Sequence, residues 1–156
     1  MLQLIPRGLH RLALQAVYRL RHRWRLWRKT PLEGVSIILQ DSAGAILLVR
    51  HSYGPQNWML PGGGLKTGEN PVEAIRREMR EEMAAEITEL QCLGSFPEVL
   101  SGSPSTEHVF FGKFDGAPTP DRREVMEARY FPLDALPQPL SALSRSKIEN
   151  WRALRG

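Results

Sequence analysis

An α/β fold is what this 156-residue sequence predicts, and three features carry that expectation. Two apolar, β-branched runs, Gly34 to Leu39 and Ala45 to Arg50, flank the turn-forming Asp41-Ser42-Ala43-Gly44. A helical stripe begins at Pro71, and an amphipathic stretch from Ser141 to Leu154 closes the chain. Further strand-like runs, Val109 to Phe114 and Glu127 to Leu136, lie between the two helices. Strand and helix periodicities in a chain of this length, 42% of it apolar, predict one core and leave no room for two ordinary ones.

The first 32 residues stand apart in charge. They hold eight Lys or Arg and no acid, whereas the rest holds thirteen basic against seventeen acidic residues, so a tail of +8 precedes a domain of −4. An acidic domain suits a site built for cations over one built for nucleic-acid phosphates, and no specific DNA binding is expected. Within the tail, Leu9, Leu12, Ala13, Ala16, Val17, Leu20, Trp24 and Trp27 recur every three or four residues. Arg11, Arg19, Arg21, Arg23, Arg25 and Arg28 largely occupy other faces, which describes a basic amphipathic helix. It lacks the apolar span of about 20 residues that a transmembrane helix needs, and it lacks a signal-peptide pattern. Three readings stay open for residues 9–28: an interfacial helix on anionic lipid, a helix packed on its own domain or a second copy, and an organelle transit peptide. The expected division is residues 1–31 as this helix and 32–156 as the domain, in a cytoplasmic protein with any membrane contact peripheral.

The two runs around Asp41 to Gly44 read as a β-hairpin. Trp58-Met59-Leu60 reads as a short strand, and Pro61-Gly62-Gly63-Gly64 as a loop whose glycines let backbone approach a ligand closely. Asn70 then supplies an N-cap, Pro71 suits the first helical position, and Glu73 completes a capping-box pattern. Val72, Ile75, Met79 and Met83 share one stripe and form the expected buried face. Glu78, Glu81 and Glu82, at i, i+3 and i+4, crowd beside it. Like charges at that spacing repel, so solvent, arginines or a bound metal must offset them. A hard cation such as Mg²⁺ takes a few carboxylates plus phosphate oxygens, which is what this face offers.

These residues resemble the Nudix hydrolases, whose signature is G-x5-E-x7-R-E-U-x-E-E-x-G-U with U a bulky apolar residue. Gly63, Glu69, Arg77, Glu78, Met79, Glu81 and Glu82 fill the first seven fixed places in register. Ala84 stands where the family has glycine, and Ala85 is small for the last apolar place. Since alanine enters a left-handed turn at a cost of about 1 kcal/mol, the helix is expected to run on into Glu86. The resemblance covers about residues 32 to 156. It implies the Nudix α/β/α sandwich, a mixed sheet between helices, with Leu143, Ile148, Trp151 and Leu154 of the last helix inward.

The resemblance also implies roles. Glu78, Glu81 and Glu82 would bind Mg²⁺ or Mn²⁺ and carry catalysis, and Glu69 and Arg77 would bridge the loop to the helix as a structural pair. Relatives differ in their general base, and here Glu98, Glu107, Glu124 and Glu127 are the candidates outside the box. Glu124, ahead of the closing strand, is the one taken into the site, while Glu107 falls in a segment read as a flexible loop. Gly62, Gly63, Gly64 and Arg50 are the substrate-binding candidates, the arginine through its fork of donors. Tyr53 and Trp58 read as packing, His108 as a bystander, and Cys92, the only cysteine, excludes an intramolecular disulfide.

The expected function is a metal-dependent pyrophosphohydrolase that cleaves a nucleoside diphosphate linked to another moiety. The alternative is a catalytically silent Nudix-like module that binds nucleotide, RNA or membrane. An intact Glu78, Glu81 and Glu82 set favours the enzyme, because a binding module has little reason to keep so costly a charge cluster.

Overall fold

The computed structural model describes residues 9–17, 20, 32–100 and 102–156. Residues 9–17 are helical (α1). Then come β1 (Leu32–Gln40), β2 (Ile46–His51), β3 (Gly62–Gly64), α2 (Pro71–Met83), β4 (Thr88–Leu100), β5 (Ser103–Lys113), β6 (Val125–Phe131) and α3 (Ala142–Arg155).

The strands form one mixed six-stranded sheet in the order β4-β5-β1-β2-β6, with β3 also paired to β1. Strand β5 runs parallel to β1 along its whole length, from Leu32 opposite Ser105 to Gln40 opposite Lys113. The other edge of β1 is shared: β2 pairs at the turn, Gln40 opposite Ile46, and β3 pairs further back, Val35 opposite Gly63. Both sheet faces are covered, which is why β1 and β2 read as unbroken apolar runs instead of alternating ones. Val35, Ile37, Leu47, Val49 and Phe110 pack under Ile75, Met79 and Met83 of α2. Ile38, Ile46, Leu48 and Phe111 pack under Ile148 and Trp151 of α3, with Trp58 beside them. The fold is the expected sandwich.

Several local expectations are corrected. Gly62-Gly63-Gly64 is a strand and not a loop: a Cβ at Gly62 would collide with the Val35 carbonyl, so glycine there admits β1 to close pairing. Trp58 and Met59 make only isolated bridges, to Leu140 and Val49. Val72, in the first turn of α2, is 45% exposed, and Leu143 and Leu154 of α3 are 43% and 79% exposed. The inward face of α3 is instead Ser144, Ile148 and Trp151. Residues 103–107, read as part of a flexible loop, belong to β5.

Helix α2 begins at Pro71 as expected, with both halves of the capping box formed. Its end is different. The helix stops at Met83, and Ala84 takes a left-handed conformation (φ 51°), its N–H donating to the Arg80 carbonyl and the Ala85 N–H to the Met79 carbonyl, each at 3.1 Å. Tertiary contacts impose the turn, since Ala85 is buried in the α2 core and Ile87 follows it inward. Ala84→Gly is therefore expected to stabilise the protein by about 1 kcal/mol, a Tm rise of roughly 2–4 °C. A Tm unchanged or lowered would mean that this turn holds no strain.

In the tail, Arg11 Nε donates to the Arg122 carbonyl at 3.1 Å and Gln15 Nε2 to the Ser52 carbonyl at 3.0 Å. These contacts seat α1 on the domain, while Leu9, Leu12 and Leu20 remain more than half exposed. Arg19, Arg21, Arg23, Trp24, Arg25, Trp27 and Arg28 lie outside the described residues. Among the described residues, no helix is long and apolar enough to cross a membrane.

Candidate active site

Two of the three crowded glutamates sit on the buried side of α2: Glu78 and Glu82 are 9% and 4% exposed. Their burial follows from register, because each directly precedes a core residue, Met79 and Met83. Glu81 points outward and its side chain is 57% exposed. A Cβ at Gly63 would collide with the Glu78 carboxylate, so the second glycine of β3 makes room for that side chain.

Arg77 ties the pieces together. Its Nε and Nη2 donate to the two oxygens of Glu69 at 2.7 and 2.9 Å, and Nη2 also donates to the Gly64 carbonyl at 3.0 Å. Its Nη1 reaches Glu78 at 2.8 Å and Glu81 at 3.4 Å. One guanidinium thus links the end of β3, the connecting loop and the helix. The arginine pulls the Glu69 carboxyl down to about 2, chiefly through these hydrogen bonds, and Glu69 with Glu78 raises Arg77 in turn.

The inner carboxylates behave in the opposite sense. Burial first, and then the neighbouring charges of Glu78, Glu124 and Asp121, push Glu82 up to about 10. Burial also raises Glu78, against the pull of Arg77. Glu124 is therefore close to both. Asp121 escaped the sequence reading. Its backbone N–H donates to the Glu82 carbonyl at 2.9 Å, and its Oδ1 accepts from the N–H groups of Arg123, Glu124 and Val125. That side chain shapes the turn which carries Glu124 to the site, a familiar use of aspartate that its position ahead of Arg122-Arg123 could have signalled.

Among the described residues, no three His, Cys, Asp or Glu side chains are set as a ready-made coordination shell. The donor set still suits a hard cation. It is all carboxylate oxygen, and one atom of it, Glu82 Oε2, is buried with no hydrogen-bond partner.

A cleft of about 1060 Å³ adjoins this cluster at Gly63 and Glu69 and is lined as well by Gly62, Gly64, Lys66, His51 and Tyr53 and by Glu98, Glu107 and Lys147. Arg50 is placed elsewhere. It pairs with Glu127, and its guanidinium lies 4.8 Å from the Trp58 ring centroid. Glu127 is engaged by Arg50 and Arg129. Glu98 and Glu107 both meet Lys147, so of the four glutamates outside the box only Glu124 adjoins Glu78 and Glu82.

Similarity to known proteins agrees with this geometry. The NAD-capped RNA hydrolase NudC of Pseudomonas aeruginosa is 32% identical over 127 residues, covering 76% of this chain and 44% of that protein. The RNA pyrophosphohydrolase of Acidiphilium cryptum is 32% identical over 122 residues, covering 76% of this chain and 71% of that protein. The chain thus spans less than half the length of the first relative. The crystal structure of a MutT NUDIX hydrolase from Burkholderia pseudomallei superposes with a TM-score of 0.69 at 27% identity, covering 77% of this chain and 97% of that one. Residues 30–151 match the NUDIX domain, a span that takes in the whole sheet, the Arg77 clamp and the buried glutamates, and the chain belongs to the Nudix family.

Proposed function

We propose that this chain is a metal-dependent pyrophosphohydrolase acting on a diphosphate within a nucleotide-linked substrate. The observation that carries this reading is the pair Glu78 and Glu82, held buried and close to Glu124 although each raises the cost of ionising the others. A fold gains no stability from such crowding, so a cation-binding role accounts for its retention. Glu78, Glu81 and Glu82 would hold Mg²⁺ or Mn²⁺, which when bound would neutralise the diphosphate and act on it as a Lewis acid.

The remaining work falls to the chain's own residues. Lys66, beside Gly64 in the cleft, offers an ammonium to the phosphate oxygens. Glu124 accepts a proton from the attacking water as oxygen bonds to phosphorus, and the anhydride P–O bond breaks with its electron pair leaving on the departing phosphate. Arg77 stays out of the chemistry and fixes β3 against α2. Relatives named for NAD-capped RNA and for RNA put such substrates first among those to test.

The test is hydrolysis of a panel that includes NAD-capped RNA, 5′-triphosphorylated RNA, NAD, ADP-ribose and nucleoside triphosphates, with Mg²⁺ or Mn²⁺, read by the phosphate-containing products released. Turnover of at least one substrate, abolished by EDTA and restored by added metal, is expected. Nucleotide binding without turnover on any of them would favour the silent module.

A further inference from the structure

Within the cleft, β1, β4, β5 and α3 bring together a second polar group. Lys147 Nζ lies 3.0 Å from Glu98 and 3.4 Å from Glu107, and all three side chains are at most 16% exposed. Two carboxylates share one ammonium, so this group holds an excess of acceptors. Burial and the charge of Glu98 push the Glu107 carboxyl up, while Lys147 holds it down.

Two further observations indicate that the group awaits a ligand. The Ser36 hydroxyl lines the cleft, is buried on a residue only 4% exposed, and has no partner in hydrogen-bonding geometry, although it is near enough to Glu107 to help hold that charge. Gly34, opposite Glu107 in the parallel register, lacks a side chain where a Cβ would collide with Glu107 Oε2. The backbone therefore leaves room for that oxygen instead of closing over it. A buried, unpartnered hydroxyl costs free energy unless something completes it.

The pattern of donors and acceptors selects the ligand. A carboxylate presents two parallel acceptors, which match two adjacent N–H donors. An ammonium has three N–H groups, and after serving Glu98 and Glu107 Lys147 keeps one for a carbonyl. Among the common nucleobases, guanine alone places N1–H and N2–H₂ side by side next to the O6 carbonyl. Adenine and cytosine would set a ring-nitrogen lone pair against the carboxylate, and uracil has a single N–H between two carbonyls.

We propose that Ser36, Glu98, Glu107 and Lys147 form a base-reading subsite that selects guanine in the substrate, with Glu107 as the specificity-determining residue. It rests on the pyrophosphohydrolase reading for the fate of the diphosphate, but the selection itself is a binding property. The experiment is calorimetric titration of the full chain with GMP, IMP and AMP, without metal, alongside kcat/KM for guanine and adenine forms of the same diphosphate substrate.

GMP is expected to bind at least about tenfold more tightly than AMP. IMP, which lacks only the N2 amine, should lose roughly tenfold or more against GMP, because a buried carboxylate oxygen is then unpaired. Glu107→Gln and Gly34→Ala should each bring the GMP/AMP ratio towards one. No measurable GMP binding, AMP binding equal to GMP, or a ratio untouched in a folded Glu107→Gln variant would overturn the proposal. If that variant fails to fold, the GMP and IMP comparison on wild-type protein decides. Hydrolysis without base preference would sink the subsite and leave the enzyme reading standing. Selective GMP binding without hydrolysis would do the reverse.

Discussion

Glu82→Gln is expected to lower kcat by roughly 10²- to 10³-fold, and Glu78→Gln to do the same, while the fold stays intact. The amide keeps the shape of the carboxylate and loses the charge that would hold a cation. In metal-free protein the same change should raise Tm, because Glu82 sits 4% exposed with Oε2 unpartnered and with Glu78, Glu124 and Asp121 near it. The pH dependence fixes the sign. The folded-state pKa of Glu82 is raised from 4.5 to about 10. Its neutral form is therefore the one the metal-free fold prefers, and stability falls as pH climbs through that window. Metal-free wild type should melt at a lower temperature at pH 8 than at pH 5, and Glu82→Gln should flatten that slope. Saturating Mg²⁺ should raise Tm at pH 8 in wild type and much less in the variant. Activity within about threefold of wild type in both glutamine variants would sink the assignment of these carboxylates.

The parts of the fold that were legible in the sequence are those where local chemistry and burial agree. Asn70, Pro71 and Glu73 fix the start of α2 by capping alone, and Ile75, Met79 and Met83 fix its inner face by period. Strand β4 was missed for a physical reason. It is an edge strand in which Gly94 and Pro97 interrupt a sequence whose polar and apolar residues do not alternate cleanly, and its pairing with β5 slips at two places. Edge strands tolerate such residues, and only the partner strand reveals them. The triple glycine misled in the opposite sense. Three glycines normally mark a loop, but here close approach to Val35 requires Gly62, and room for the Glu78 carboxylate requires Gly63, within a strand.

The site divides along the same line. Glu78 and Glu82 were readable because helix spacing brings them together, and Glu69 and Arg77 through the resemblance to the Nudix signature, whereas Asp121 reaches the glutamate cluster, and Ser36 and Lys147 the cleft, only through the packing of distant segments. Lys147 precedes the buried Ile148 on α3 and follows the inward Ser144, a position at which a long stem covers apolar surface while its head finds a polar partner. Glu107 was read as a loop residue because Ser101 to Thr106 carries turn chemistry, yet β1 recruits it into a long parallel pairing.

Arg77→Ala is expected to cost about 2 kcal/mol of stability, a Tm loss on the order of 6 °C, and to cost more than Glu78→Gln does. The arginine side chain is 15% exposed and satisfies Glu69, Glu78 and the Gly64 carbonyl at once. Alanine removes these donors, leaving Glu69 with the Lys66 N–H and Glu78 still desolvated beside Glu82 and Glu124. Acid sensitivity gives a second readout. Glu69 is held down at about 2 by Arg77, so its contribution is present above the ordinary carboxylate range and is lost only as pH falls towards 2. Wild type should therefore lose more stability than Arg77→Ala between pH 5 and pH 2, narrowing the gap between them. Arg77→Lys should recover only part of the loss, since an ammonium cannot reproduce the two parallel bonds to Glu69. Thermal melts of the three proteins, with kcat on the best substrate of the panel, separate the two roles open to this residue. A clamp predicts that activity measured well below the melting transition falls less than stability does. If Arg77→Ala instead melts like wild type and is inactive, the guanidinium acts on the substrate phosphates and the clamp reading is wrong.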